Sequence, residues 1–110
     1  PMSEDIIETI KHQIANNPVI LYMKGSPDQP QCGFSARASQ VLMACGERFA
    51  YVDILSNPAI RANLPTYANW PTFPQLWVDG ELIGGSDIIA EMYEKGELLP
   101  LVKQAVAKSA

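Results

Sequence analysis

The 110 residues, 47% hydrophobic and 18% charged, suit one domain around a single core and exclude a disordered tail. Twelve acidic against eight basic residues give a net charge of -4, and no Lys/Arg run offers nucleic acid a phosphate footprint. No apolar stretch approaches the roughly 18 residues that span a membrane. The acidic opening Pro1-Met2-Ser3-Glu4-Asp5 has no secretory apolar region, so a cytoplasmic protein is expected, with Pro1 an addition ahead of Met2.

Ile6, Ile7, Ile10 and Ile14 recur at helical spacing, which predicts an amphipathic helix from Glu4 to Asn16, broken by Asn17-Pro18. Val19 to Met23 is a continuous apolar run of strand length and fits a buried central strand. Gly25 to Gln31 reads as a loop. Cys32 then opens a helix with Phe34, Ala38, Val41, Leu42 and Cys45 in phase, ending near Gly46.

Arg48 to Leu55 is predicted as the second strand. Asn57-Pro58 starts a third helix, with Asn57 capping and Pro58 at its first position, and Pro65 is expected to end or distort it early. Pro74 cannot donate a ladder bond and belongs at the start or edge of the strand Gln75 to Val78. Asp79-Gly80 is a hairpin signal leading to Glu81-Leu82-Ile83. Gly84 to Asp87 then opens a helix carrying Ile88, Ile89, Met92 and Tyr93, and a last helix runs from Glu97 to Lys108. The order α-β-α-β-α-β-β-α-α predicts an α/β fold: a parallel pair, an antiparallel hairpin, and a four-stranded mixed sheet with helices on both faces.

Two cysteines make no disulfide scaffold, and with His12 they are too few for a zinc site. A thiolate at a helix start is stabilised by free N–H groups and the helix dipole, so Cys32 is expected below the free-thiol pKa of about 8.5. Lys24 adds positive charge and Gly33 lets a bound group approach. The alternative for Cys32 is a small core residue. Position 35, where a dithiol redox helix carries its second cysteine, holds Ser35. Cys45 lies thirteen helical residues on, roughly 20 Å away, beyond the ~7 Å Cα separation a disulfide tolerates. Cys45 is expected as a packed helix residue, so a thiol from outside must reset any adduct on Cys32.

Cys32-Gly33-Phe34-Ser35 resembles the CGFS signature of monothiol glutaredoxins. Lys24-Gly25, the segment Trp70-Pro71-Thr72-Phe73-Pro74-Gln75 and the turn Gly84-Gly85-Ser86-Asp87 extend the likeness over nearly the whole chain. The resemblance implies a single thioredoxin-like domain over residues 1–110, with glutathione in a groove beside the cysteine. Lys24 and Arg61 would face a glutathione carboxylate, and Phe34 and Phe73 would wall the groove. The backbone of Phe73, cis to Pro74, would pair with the glutathione peptide, and Thr72 would help fix that turn. Ser86 and Asp87 would hold the γ-glutamyl end, with Asp87 near the ammonium. Without the family, the alternatives are a solvated helix charge for Arg61, a helix cap for Asp87 and a core residue for Phe73. Trp70 and Trp77 read as packing residues, and Tyr22 and Met23 as strand core. Ser86 stands where many members carry a second cysteine, which removes another internal partner for Cys32.

Two functions follow. The first is a carrier of a [2Fe-2S] cluster for iron–sulfur protein biogenesis. Such a cluster wants about four ligands, so two Cys32 thiolates and two glutathiones would hold it in a bridged homodimer. BolA-type proteins and recipient iron–sulfur apoproteins are the partners the family implies. The second is a glutathione-dependent thiol–disulfide oxidoreductase, in which Cys32 attacks a glutathionylated substrate and a second glutathione resets it. A third reading, an inactive interaction module, leaves Cys32, Lys24, Pro74 and Asp87 without a purpose.

Overall fold

The computed structural model describes residues 2–109; Pro1, expected as an addition, lies outside them. The elements are α1 (Met2–Asn16), β1 (Val19–Met23), α2 (Gly33–Ala44), β2 (Ala50–Asp53), α3 (Pro58–Ala68), β3 (Gln75–Val78), β4 (Glu81–Gly84), α4 (Ser86–Glu94) and α5 (Leu98–Lys108). The four strands form one mixed sheet in the order β2-β1-β3-β4. β1 runs parallel to β2, with Met23 opposite Asp53, and antiparallel to β3, with Val19 opposite Val78.

The apolar run of β1 is buried at every position because each face of the sheet carries helices. Alternation along the strand divides its side chains between two cores. Val19, Leu21 and Met23 join Leu42, Ile89, Leu98 and Val102 from α2, α4 and α5. Ile20 and Tyr22 join Ile10, Ile14, Ile60 and Leu64 from α1 and α3. Trp77 packs into the second core, and Cys45 lies in the first.

Asp79 and Gly80, both at positive φ, close the β3–β4 hairpin as their sequence signal predicts. Gly46, also at positive φ, follows the end of α2. The expected strand from Arg48 to Leu55 shortens to Ala50–Asp53. Asn57 stands at the N-cap of α3, but its side chain does not cap; Nδ2 donates to the Asp53 carbonyl at 2.9 Å. Pro65 neither ends nor shortens α3, which runs on to Ala68 and stops at Asn69 in the left-handed region. Ile60 and Leu64, buried in the second core, hold the helix through the proline; tertiary packing overrides local propensity there.

Candidate functional site

The parallel pairing of β1 and β2 brings their C-terminal ends side by side, and the loop over residues 24–31 rises from that edge. Its backbone is closed on itself. Gln31 N–H donates to the Lys24 carbonyl at 2.9 Å, and Ser26 and Gln29 exchange backbone bonds at 3.1 and 3.2 Å. Gly25 sits at φ +87°, and a Cβ there would lie 2.4 Å from the Gln29 carbonyl oxygen, so the turn admits only glycine. The loop delivers Cys32 to the N-cap of α2.

The sulfur of Cys32 accepts the Ser35 N–H at 3.3 Å and thereby caps the helix. Ser35 is fully buried. Its Oγ lies 3.3 Å from the sulfur and accepts the Lys24 N–H at 3.0 Å. With that lone pair taken, the hydroxyl is free to donate its proton to an ionised Cys32. Partial burial pushes the thiol up; hydrogen bonds from the Ser35 hydroxyl and from the Ser35 and Phe34 N–H groups, with the charge of Lys24, outweigh it and hold Cys32 below the ordinary thiol range. Cys45 goes the other way, raised first by burial and then by the charge of Glu47. The chain therefore has one activated, half-buried thiol and one inert, buried one.

A groove of about 410 Å³ opens near this thiol, lined by Phe34, Thr72, Phe73, Pro74, Ser86, Asp87 and also Trp70, Gly85 and Ile88. Six of the nine expected site residues meet there. Cys32 is not in the lining itself; Phe34, two residues on and exposed, connects it to the groove. The Phe73–Pro74 bond is cis, as expected. Lys24 stands at the end of β1, half-buried, with its charge felt at Cys32. Arg61 stands exposed on the first turn of α3, outside the lining. Asp87 is exposed on the first turn of α4, and its Oδ1 accepts from Arg37 Nη1 at 3.0 Å.

Trp70, read from sequence as packing, is a wall of the groove. Among the described residues, two buried side-chain polar atoms have no hydrogen-bond partner, Trp70 Nε1 and Ser86 Oγ, and both residues line this groove. Buried polar groups are seldom left unpaired; here both exceptions lie beneath the groove surface, out of contact with solvent. Ser86 was legible from the glycine-rich turn; for Trp70 the signal was its place in the proline segment. Arg37 and Asp53 carried no local signal. No cluster of three or more His, Cys, Asp or Glu side chains able to hold a metal occurs among the described residues, and no helix there is long and apolar enough to cross a membrane.

Residues 19–83 match the glutaredoxin family model. Over 102 residues the chain is 72% identical to Glutaredoxin 4 of Escherichia coli, spanning 93% of this chain and 89% of that protein. It is 64% identical over 106 residues to Glutaredoxin 4 of Haemophilus influenzae, spanning 96% and 99%. Among solved structures, reduced apo GrxS14 of poplar superposes with a TM-score of 0.79 at 43% identity, over 93% of this chain and 94% of that one. The fold, the cis-proline wall and the isolated thiol at the start of α2 agree with these matches: the chain belongs to the glutaredoxin family, in its monothiol CGFS form.

Proposed function

We propose that this chain binds glutathione in the groove and carries a [2Fe-2S] cluster between two copies of itself, delivering it to iron–sulfur apoproteins. The observation that carries this reading is the solitude of the Cys32 thiol. The residue against its sulfur is Ser35, at 3.3 Å, and the other cysteine is buried in the core. One chain thus offers one thiolate, and a cluster that takes about four thiolate ligands requires a second chain and two thiols from solution. The donor set fits: a lowered thiol, partly accessible, beside a groove of a size suited to a small peptide. The cluster is the cargo, and thiols supplied by a non-covalently held peptide make it releasable.

In this reading Phe34 and Phe73 wall the bound glutathione, and Thr72 holds the turn that exposes the Phe73 backbone beside Pro74. Ser86 and Asp87 take the γ-glutamyl end, whose ammonium and carboxylate match an anionic side chain and the N-terminus of α4. Lys24 and Arg61 serve the glycine-end carboxylate. A BolA-type protein is the proposed alternative to the second copy, keeping Cys32 and one glutathione.

Anaerobic reconstitution with iron, sulfide and glutathione, followed by visible absorption and sizing, tests this. A cluster spectrum on a dimer-sized species, lost in Cys32→Ser and without glutathione, is expected. The half-buried position of Cys32 beside the groove also favours a second reading, transfer of glutathione from a mixed disulfide through Cys32. Brisk turnover of a glutathionylated peptide with no cluster uptake would establish that reading in place of the first.

A further inference from the structure

We infer that Asp53, which none of the groove or cluster roles uses, is a positioning residue for the Cys32 sulfur. Its carboxylate stands at the end of β2, opposite Met23. Oδ1 accepts the Gly25 N–H at 2.9 Å and the Leu55 N–H at 2.9 Å, and Oδ2 accepts the Ser56 hydroxyl at 3.0 Å. The Gly25 N–H belongs to the peptide whose carbonyl is that of Lys24, and that carbonyl accepts the N–H of Gln31, the residue before Cys32. One peptide unit is therefore clamped at both ends, by a carboxylate on one side and by the approach to Cys32 on the other. The preceding N–H, of Lys24, is the one bonded to Ser35 Oγ, which in turn contacts the sulfur.

Two short paths thus lead from Asp53 to Cys32, one through Gln31 and one through Ser35. On the Gln31 path the two hydrogen bonds share one peptide and polarise each other, with the charged acceptor strengthening the second. The Ser35 path crosses the Lys24 Cα and acts by position alone. Gly25 gives the clamp its second argument. A Cβ there would strike Gln29 and Gln31 at positive φ, so the turn requires glycine, the residue with the freest backbone. The bond from Asp53 fixes a peptide that its own residue type leaves loose. The hydrogen bonds from Gly25, Leu55 and Ser56 also hold the Asp53 carboxyl below its usual range, partial burial notwithstanding.

Charge and positioning make opposite demands here, which makes the inference testable. A carboxylate near a thiol disfavours the thiolate through space. If Asp53 acted only by its charge, removing it would make Cys32 more reactive; if it acts by holding the loop, removing it makes Cys32 less reactive. The test uses the full chain, reduced and free of glutathione, and measures alkylation of Cys32 by neutral iodoacetamide at fixed pH, with buried Cys45 as the internal report on folding. Asp53→Ala is expected to slow Cys32 at least about threefold, since thiolate fraction and access set the rate, while Cys45 stays protected. Asp53→Asn keeps an acceptor for Gly25 and is expected to restore most of the rate. Asp53→Glu keeps the charge but displaces the carboxylate by a methylene, and is expected to be slow.

An alanine variant that stays folded and reacts as fast as the natural chain, or faster, overturns the inference. Should that variant expose Cys45, the other two decide. Asn no faster than the natural chain together with Glu slower than it upholds positioning. Asn faster than the natural chain, or Glu at least as fast as it, is the charge effect and refutes the inference. The inference rests on Cys32 as the reactive thiol of the proposed function, but the readout needs neither cluster nor glutathione, so failure to load a cluster leaves it standing.

Discussion

Arg37 on α2 and Asp87 on α4, fifty residues apart in sequence, meet at 3.0 Å between Nη1 and Oδ1 beside the groove. Both side chains are largely exposed, and such pairs contribute at most about 1 kcal/mol to stability. In the proposed function Asp87 therefore acts on the ligand and not on stability. Asp87→Asn is expected to leave the thermal midpoint nearly unchanged while lowering glutathione affinity about tenfold, the loss of one charge-assisted bond. Arg37→Gln is expected to be equally mild in stability. Calorimetric titration with glutathione and a melting curve on each variant check this, and full affinity in Asp87→Asn would remove the ammonium role assigned to it.

Ser35 is the second point of test. Its hydroxyl bonds both the Lys24 N–H and the Cys32 sulfur from a fully buried position. Ser35→Ala leaves a buried N–H unpaired, and denaturant unfolding is expected to show a loss of about 1 to 3 kcal/mol. Ser35→Cys places a second sulfur where an oxygen now lies 3.3 Å from the first. Mild oxidation of that variant is expected to close an intrachain disulfide, seen as the loss of two hydrogens by mass spectrometry. Its cluster loading should fall, because the thiol now has an internal partner.

The lowered Cys32 thiol has a pH signature. Its folded pKa lies below its unfolded value, so the stability it contributes is fully present above the ordinary thiol pKa of about 8.5. That contribution is lost as pH falls through the lower, folded value. The difference in urea unfolding free energy between the natural chain and Cys32→Ser is therefore expected to grow as pH rises across this window. Cys45 is shifted in the opposite sense and, present in both proteins, cancels from the difference. A flat or shrinking difference would contradict the assignment.

The two glycines flanking the site should behave differently. Gly25→Ala drives a methyl group into the Gln29 carbonyl at positive φ and is expected to cost about 2 kcal/mol or more, the range of strained backbone sites. Gly33 meets no atom within 4 Å of the added carbon and has ordinary φ, so Gly33→Ala should be close to neutral in a melting curve. Its effect, if Gly33 gives a ligand room, appears in glutathione affinity alone.

What the sequence disclosed was what local chemistry controls. The unbroken run of β1, the Asp79-Gly80 turn and the thiol at a helix start each carry their cause within a few residues. The persistence of α3 through Pro65 does not, because Ile60 and Leu64 hold it from the far side, against the core. Nor does the Asp53 carboxylate, whose bond to Gly25 joins residues 28 apart, or the Arg37 partner of Asp87. Such pairings depend on the parallel register of β1 and β2 and on the packing of α2 against α4, which residue types alone do not specify. Six of the groove residues were legible as a family pattern, while Trp70 read as packing; the unpaired Trp70 and Ser86 atoms became visible only once burial was known.

The sulfur to which the proposed function gives the chemistry is also the stopper of a helix. As a thiolate, Cys32 accepts the Ser35 N–H at the open end of α2. A sulfur engaged in a mixed disulfide is a poorer acceptor than a thiolate, so in the proposed function loading the site would loosen the first turn of α2 and unloading it would restore the cap, as a spring returns a latch.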